Sequence, residues 1–169
     1  MSDDGPLTDD VARTSTESVW DYLRPPIVVL SRERVVIELD GEIVVDSRRS
    51  LRVVETSHPP VYYVNGEDVA PGLLRPTAGM TWCEFKGSAS YFDVVLPSGQ
   101  VIPRTAWHFP QPTTGYEALV GHVAFYPGRV YRCTVDDETV VAQLGDFYGG
   151  WITRKVTGPF KGAPGTHGW

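Results

Sequence analysis

Between residues 34 and 40 the chain follows a period of two. Val35, Ile37 and Leu39 fall on one side of an extended strand, and Val36, Glu38 and Asp40 on the other. Asp40-Gly41 then signals a hairpin turn, and Ile43-Val44-Val45 returns as the partner strand. Residues 51–56 and 61–64 read as two further short strands, joined by Ser57-His58-Pro59-Pro60. Residues 91–96 and 100–102 form a hairpin around Pro97-Ser98-Gly99, and 131–135 with 139–141 form another around Asp136-Asp137-Glu138. Helix candidates are short: 67–74 is interrupted by Pro71 and Gly72, and 116–120 gives barely one turn. Many short strands separated by turn signals predict an all-β domain, either a sandwich or sheets packed across one another.

The pattern divides the chain into three parts. Residues 1–19, rich in Ser, Thr and Asp, read as an acidic mobile leader. Residues 20–145 form a single β-domain, opening with an extended arm at 20–26 whose aromatics dock on it. Residues 146–169 are a Gly-rich tail in which Trp151, Phe160 and Trp169 would bury large apolar areas if docked, so the tail is expected to wrap the domain or a partner subunit. A homodimer is one arrangement such a tail permits.

Composition sharpens this picture. A chain of 169 residues, 41% hydrophobic and 21% charged, is long enough for a substantial core and has the balance of a globular protein. Its formal net charge is −6, but residues 1–19 hold five acids against Arg13, leaving the rest nearly balanced at fourteen bases against sixteen acids. A nearly neutral body gives no basis for binding a phosphate backbone, so nucleic acid is not an expected partner, although a local basic pocket fits the balance. Cys83 and Cys133 read as two reduced thiols. The first residues, Met1-Ser-Asp-Asp-Gly, lack a secretory pattern, and no apolar run approaches a membrane span. The expectation is a cytoplasmic protein with no membrane partner.

Three clusters could carry chemistry. Glu55-Thr-Ser-His58-Pro-Pro-Val-Tyr62-Tyr63 gathers an acid, two hydroxyls, an imidazole and two phenols around a connection stiffened by two prolines. Its bland reading is a capped rigid turn. In Thr81-Trp-Cys-Glu-Phe85-Lys86-Gly87, taken as one strand, Cys83, Phe85 and Gly87 share a face, and Lys86 could meet an anion where Gly87 allows close approach. A Glu84–Lys86 surface pair is the plainer alternative. In Thr105-Ala-Trp107-His-Phe-Pro110, Trp107 and Phe109 make an aromatic face that suits a pocket or a core. No phosphate-binding loop, dinucleotide fingerprint, Cys-x-x-Cys, His-x-x-x-His or nucleophile elbow occurs in the sequence.

Read together, these clusters resemble the domain-of-unknown-function 427 family, which also carries a nucleotidyltransferase-like name. The matching residues are Val45-Asp-Ser47, Leu51-Arg-Val-Val-Glu-Thr-Ser-His-Pro-Pro60, Tyr62-Tyr63, Cys83-Glu-Phe-Lys-Gly87, Ala89-Ser-Tyr-Phe92, Ala106-Trp107 with Pro110, and Val123-Ala-Phe-Tyr126. The likeness covers roughly residues 27–145, and the Gly149-Gly-Trp-Ile-Thr153 and Gly158-Pro-Phe-Lys-Gly162 ending resembles one branch of the family. Where many members have Cys-Pro-Trp-Lys-Gly, this chain has Cys-Glu-Phe-Lys-Gly. The resemblance implies a β-tent-like architecture, two antiparallel sheets packed at a steep angle with a pocket between them. It carries over no zinc, because two separated cysteines cannot supply two Cys pairs. The nucleotidyltransferase-like name has no physical support here, since neither Mg²⁺-holding carboxylates nor a phosphate cradle is visible.

The functional expectation is a small-molecule-binding β-domain whose pocket is lined by Glu55, His58, Tyr62, Tyr63, Phe85, Lys86, Tyr91 and Trp107. Aromatic side chains would form its walls, while Glu55, His58 and Lys86 would orient a polar or anionic part of the ligand. No metal or cofactor is expected, and no catalytic motif is recognisable. Two alternatives stand beside it: an enzyme using the same pocket, with His58 as acid/base and Cys83 or Lys86 as nucleophile or electrostatic stabiliser, and an interaction module acting through the tail.

Overall fold

Asp40 and Gly41 both take positive φ, 52° and 75°, which gives the twist that a two-residue hairpin needs. They join β3 (Val35–Leu39) to β4 (Glu42–Ser47), and Val35, Ile37 and Leu39 are buried as their alternation predicts. Asp136 and Asp137 repeat the device, with φ of 47° and 68°, between β11 (Arg132–Val135) and β12 (Glu138–Thr139). Together these strands form a four-stranded antiparallel sheet in the order β12-β11-β3-β4.

The computed structural model describes residues 16–145 and 147–169. A larger open sheet runs in the order β2-β5-β6-β10-β9-β8-β7, every pairing antiparallel. Its strands are β2 (Ile27–Ser31), β5 (Ser50–Val54), β6 (Val61–Asn65), β7 (Leu74–Cys83), β8 (Gly87–Val95), β9 (Val101–His108) and β10 (His122–Phe125). Two pairs of two-residue strands complete the described sheets: β1 (Glu17–Ser18) runs parallel to β15 (Val156–Thr157), and β13 (Val141–Ala142) pairs with β14 (Trp151–Ile152). The protein is all-β. Its described helical segments are 3-10 turns of three residues, among them Gly66–Asp68 and Glu117–Leu119, where longer helices were candidates.

Both faces of the large sheet are covered. On one, Tyr62, Val64, Val94, Ala106, Val123 and Phe125 meet Val35, Ile37, Val45, Cys133 and Val135 of the small sheet. On the other, Leu51, Val53, Tyr63, Ala89, Tyr91, Trp107, Ala124 and Tyr126 form a second cluster closed by Tyr116 and Leu119. The space between the two sheets, where the resemblance implied a pocket, is therefore filled core.

Both ends of the described residues pack on this body. Trp151 is 1% exposed; its ring centroid lies 5.1 Å from that of Tyr62, and its indole donates to the Phe125 carbonyl at 3.1 Å. Residues 1–15 of the expected leader lie outside the described residues. Its last residues depart from the mobile expectation, because Glu17 and Ser18 pair in β1 and Val19 is fully buried. In the arm, Trp20 packs edge-on against Trp169 with centroids 5.3 Å apart and donates to the Pro159 carbonyl at 2.8 Å. Cys83 and Cys133 are both free thiols, and burial pushes the Cys133 thiol well up. No helix among the described residues is long and apolar enough to cross a membrane.

Candidate functional site

The cavity opens on the second face of the large sheet, away from the small one. It holds about 250 Å³ between the connection after β5, the tip of the β7–β8 hairpin, the end of β9 and the C-terminal segment. Glu55, His58, Tyr63, Phe85, Lys86 and Trp107 all line it. Tyr62 and Tyr91 do not. Tyr62 follows the period of two onto the opposite face, where its hydroxyl donates to Glu33 Oε1 at 2.8 Å. Tyr91 shares the face of Trp107 but lies beneath Arg104, whose guanidinium is 4.1 Å from the ring centroid, and its hydroxyl bonds Thr81 Oγ1 at 2.8 Å.

The Glu55–Pro60 connection is clamped from both sides. The Ser57 N–H donates to the Val19 carbonyl at 3.1 Å, and the Ser57 carbonyl accepts from the Lys161 N–H at 2.8 Å. Thr56 Oγ1 donates to the Tyr22 carbonyl at 2.6 Å. Within this turn His58 Nδ1 lies 2.9 Å from the Thr56 carbonyl, which can only accept, so Nδ1 carries the proton and Nε2 offers a lone pair. Burial lowers the His58 pKa below the usual imidazole value, against the opposing pull of the Thr56 carbonyl and Glu55. Its ring meets Tyr148 edge-on at 5.3 Å. Glu55 itself is engaged by Arg24, Nε to Oε2 3.2 Å.

Residues 81–87 are not one strand. β7 ends at Cys83, residues 84–86 turn, and β8 begins at Gly87, whose φ of 102° favours glycine. The turn is pinned from outside: the Lys86 carbonyl accepts from the Thr113 N–H at 3.0 Å, and the Phe85 carbonyl accepts from the Thr113 hydroxyl. Lys86 Nζ is thereby held 5.7 Å from the Phe109 ring centroid. The floor is aromatic. Trp107 Nε1 donates to the Tyr63 hydroxyl at 3.2 Å, satisfying the one polar group of each ring, and Trp107 packs on Tyr126 at 4.4 Å between centroids.

One wall escaped sequence reasoning. Gln143, Phe147, Tyr148, Gly149 and Lys161 all line the cavity from the C-terminal segment. Gln143 is 5% exposed and ties this segment together, donating from Nε2 to the Lys161 carbonyl at 2.7 Å and accepting from the Gly150 N–H at 3.1 Å. The only sequence signal was the Gly149-Gly150 pair: a Cβ at Gly149 would overlap the Trp107 ring, and one at Gly150 would overlap Pro59 and Gln143. Cys83 also lines the cavity, half-buried. Among the described residues no three His, Cys, Asp or Glu side chains converge as a metal site.

In a comparison with protein families, residues 27–136 match the domain of unknown function DUF427. A comparison with curated proteins finds no match. The matched stretch is about two-thirds of the chain and carries the Glu55–Pro60 connection, the β7–β8 hairpin and the end of β9 that build three sides of the cavity. The chain belongs to the DUF427 family.

Proposed function

We propose that this protein binds a small molecule in the cavity on the outer face of its large sheet. The observation that carries the reading is convergence: six side chains from three separate stretches of sequence line one concavity of about 250 Å³. Its walls are aromatic, and its polar groups include His58, whose Nδ1 is held by the Thr56 carbonyl, and Lys86, whose ammonium lies over the Phe109 ring. A mostly apolar concavity with a small number of placed polar groups is what a ligand site requires. Differential scanning fluorimetry against a chemically diverse library, with native mass spectrometry of the purified protein, tests it. Stabilising compounds are expected that lose their effect in both His58→Ala and Lys86→Ala. A screen without hits, in which both variants melt like the wild type, would falsify the reading.

A second reading is favoured by His58 alone. Its imidazole, with Nδ1 protonated and its pKa lowered by burial, lines the same cavity as the half-buried Cys83 thiol, a pair of residue types suited to general-base chemistry. The same compounds, incubated with the protein and followed by mass spectrometry, separate the two. Conversion abolished by His58→Ala supports catalysis, and unchanged compounds leave binding alone.

A further inference from the structure

Two cations line the cavity wall. Lys86 Nζ faces the Phe109 ring at 5.7 Å and Lys161 Nζ faces the Tyr148 ring at 5.4 Å. Among the described residues Lys86 Nζ has no carboxylate partner within 4.0 Å. An aromatic face attracts an ammonium but leaves its N–H donors to seek an oxygen. Lys161 uses one of its three donors on the Trp169 carbonyl, at 3.2 Å. Of the carboxylates among the described lining residues, Glu55 is engaged by Arg24, and Glu84 shares the lining with the two lysines. The described lining therefore offers ammonium N–H donors to an oxygen-bearing ligand.

The remaining groups narrow the ligand further. His58 Nε2 is an acceptor with no described partner, so it calls for a ligand N–H or O–H. Half-buried Phe85, backed by the buried Trp107 and Phe109, gives the lining an aromatic character that suits a ring. A volume of about 250 Å³ is the liquid share of about eight waters and lies below the span of drug-sized sites, so the ligand is small. A phosphate monoester, near two negative charges at neutral pH, asks for more compensation than two ammoniums that share the lining with Glu84.

We infer that the cavity takes a small planar aromatic carboxylate that also carries a hydrogen-bond donor, its acid taken up by the lysine ammoniums, its ring by Phe85 backed by Trp107 and Phe109, and its donor by His58 Nε2. This rests on the cavity being the binding site. Isothermal titration of the full chain with 4-hydroxybenzoate, benzoate, 4-hydroxybenzamide, cyclohexanecarboxylate and phenyl phosphate tests it. Saturable binding of 4-hydroxybenzoate is expected, weakened about tenfold or more in the amide, because a charge-assisted hydrogen bond is lost. Lys86→Met and Lys161→Met should each weaken the acid while leaving the amide unchanged, and Lys86→Arg should retain binding. Melting temperatures of the variants establish that they are folded. Equal affinity for acid and amide, tighter binding of phenyl phosphate, or no binding by either aromatic acid overturns the assignment. If the aromatic acids fail while neutral compounds still stabilise the protein through His58, the ligand class is wrong and the site stands. If nothing binds, both readings fall.

Discussion

His58 closes a turn onto the Glu55 carbonyl, the Thr56 carbonyl fixes its tautomer, and burial lowers the imidazole pKa. The consequence for stability has a definite sign. A histidine whose folded pKa is depressed binds fewer protons folded than unfolded, so its contribution is complete above the unfolded value of about 6.5 and is lost as pH falls below it. Half-buried His108 shifts the same way, also through burial. Urea unfolding between pH 5 and 7.5 should therefore show stability declining on the acid side, with a shallower decline in His58→Gln. An identical slope in wild type and variant would remove His58 as a contributor. Adjacency explains the reach of sequence reasoning at this scale. Tyr62 and Tyr63 are neighbours on one strand and must face opposite ways, but which face holds the cavity depends on what covers each.

Among the strands, β5 carries an ionic tie that no local pattern announced. Arg52 is 6% exposed within an otherwise apolar strand, and its Nη2 lies 2.8 Å from Glu17 Oε1 in β1 and 3.3 Å from the Tyr22 hydroxyl. Burial raises the Glu17 pKa, but hydrogen bonds from Arg52 and Tyr22 outweigh it and hold the carboxyl below its usual value. Removing one partner of a buried pair leaves an uncompensated charge. Glu17→Ala should thus cost about 3 kcal/mol, the low end for such pairs because Glu17 itself is partly exposed. Equilibrium denaturation measures this, and a loss under about 1 kcal/mol would show that β1 is tied by other means. β7 was illegible for a different reason. Pro76 and Gly79 break its alternation, and a proline is tolerated there because β7 is the edge of the sheet and bulges between Pro76 and Met80.

For the molecule as a whole, the C-terminal segment is structural. Trp151 packs into the core between the sheets, and Gln143, Phe147, Tyr148, Gly149 and Lys161 wall the cavity on the opposite face. One short segment thereby couples the stability of the body to the shape of the site. Trp151→Ala should cost about 3–5 kcal/mol in chemical denaturation, as for a large aromatic removed from a core. A cost below about 1 kcal/mol would make the segment peripheral. The all-β class, the Asp-Gly hairpin and the residues of the β5–β6 connection were determined by the sequence itself, because alternation, turn chemistry and proline stiffness act over a few residues. Tertiary structure alone decided that the space between the sheets is filled, that the cavity lies on the far face, and that its last wall comes from Gln143, Phe147, Tyr148, Gly149 and Lys161. Those outcomes depend on contacts between stretches as far apart as Ser57 and Lys161, and no local period encodes which surfaces meet across such separations.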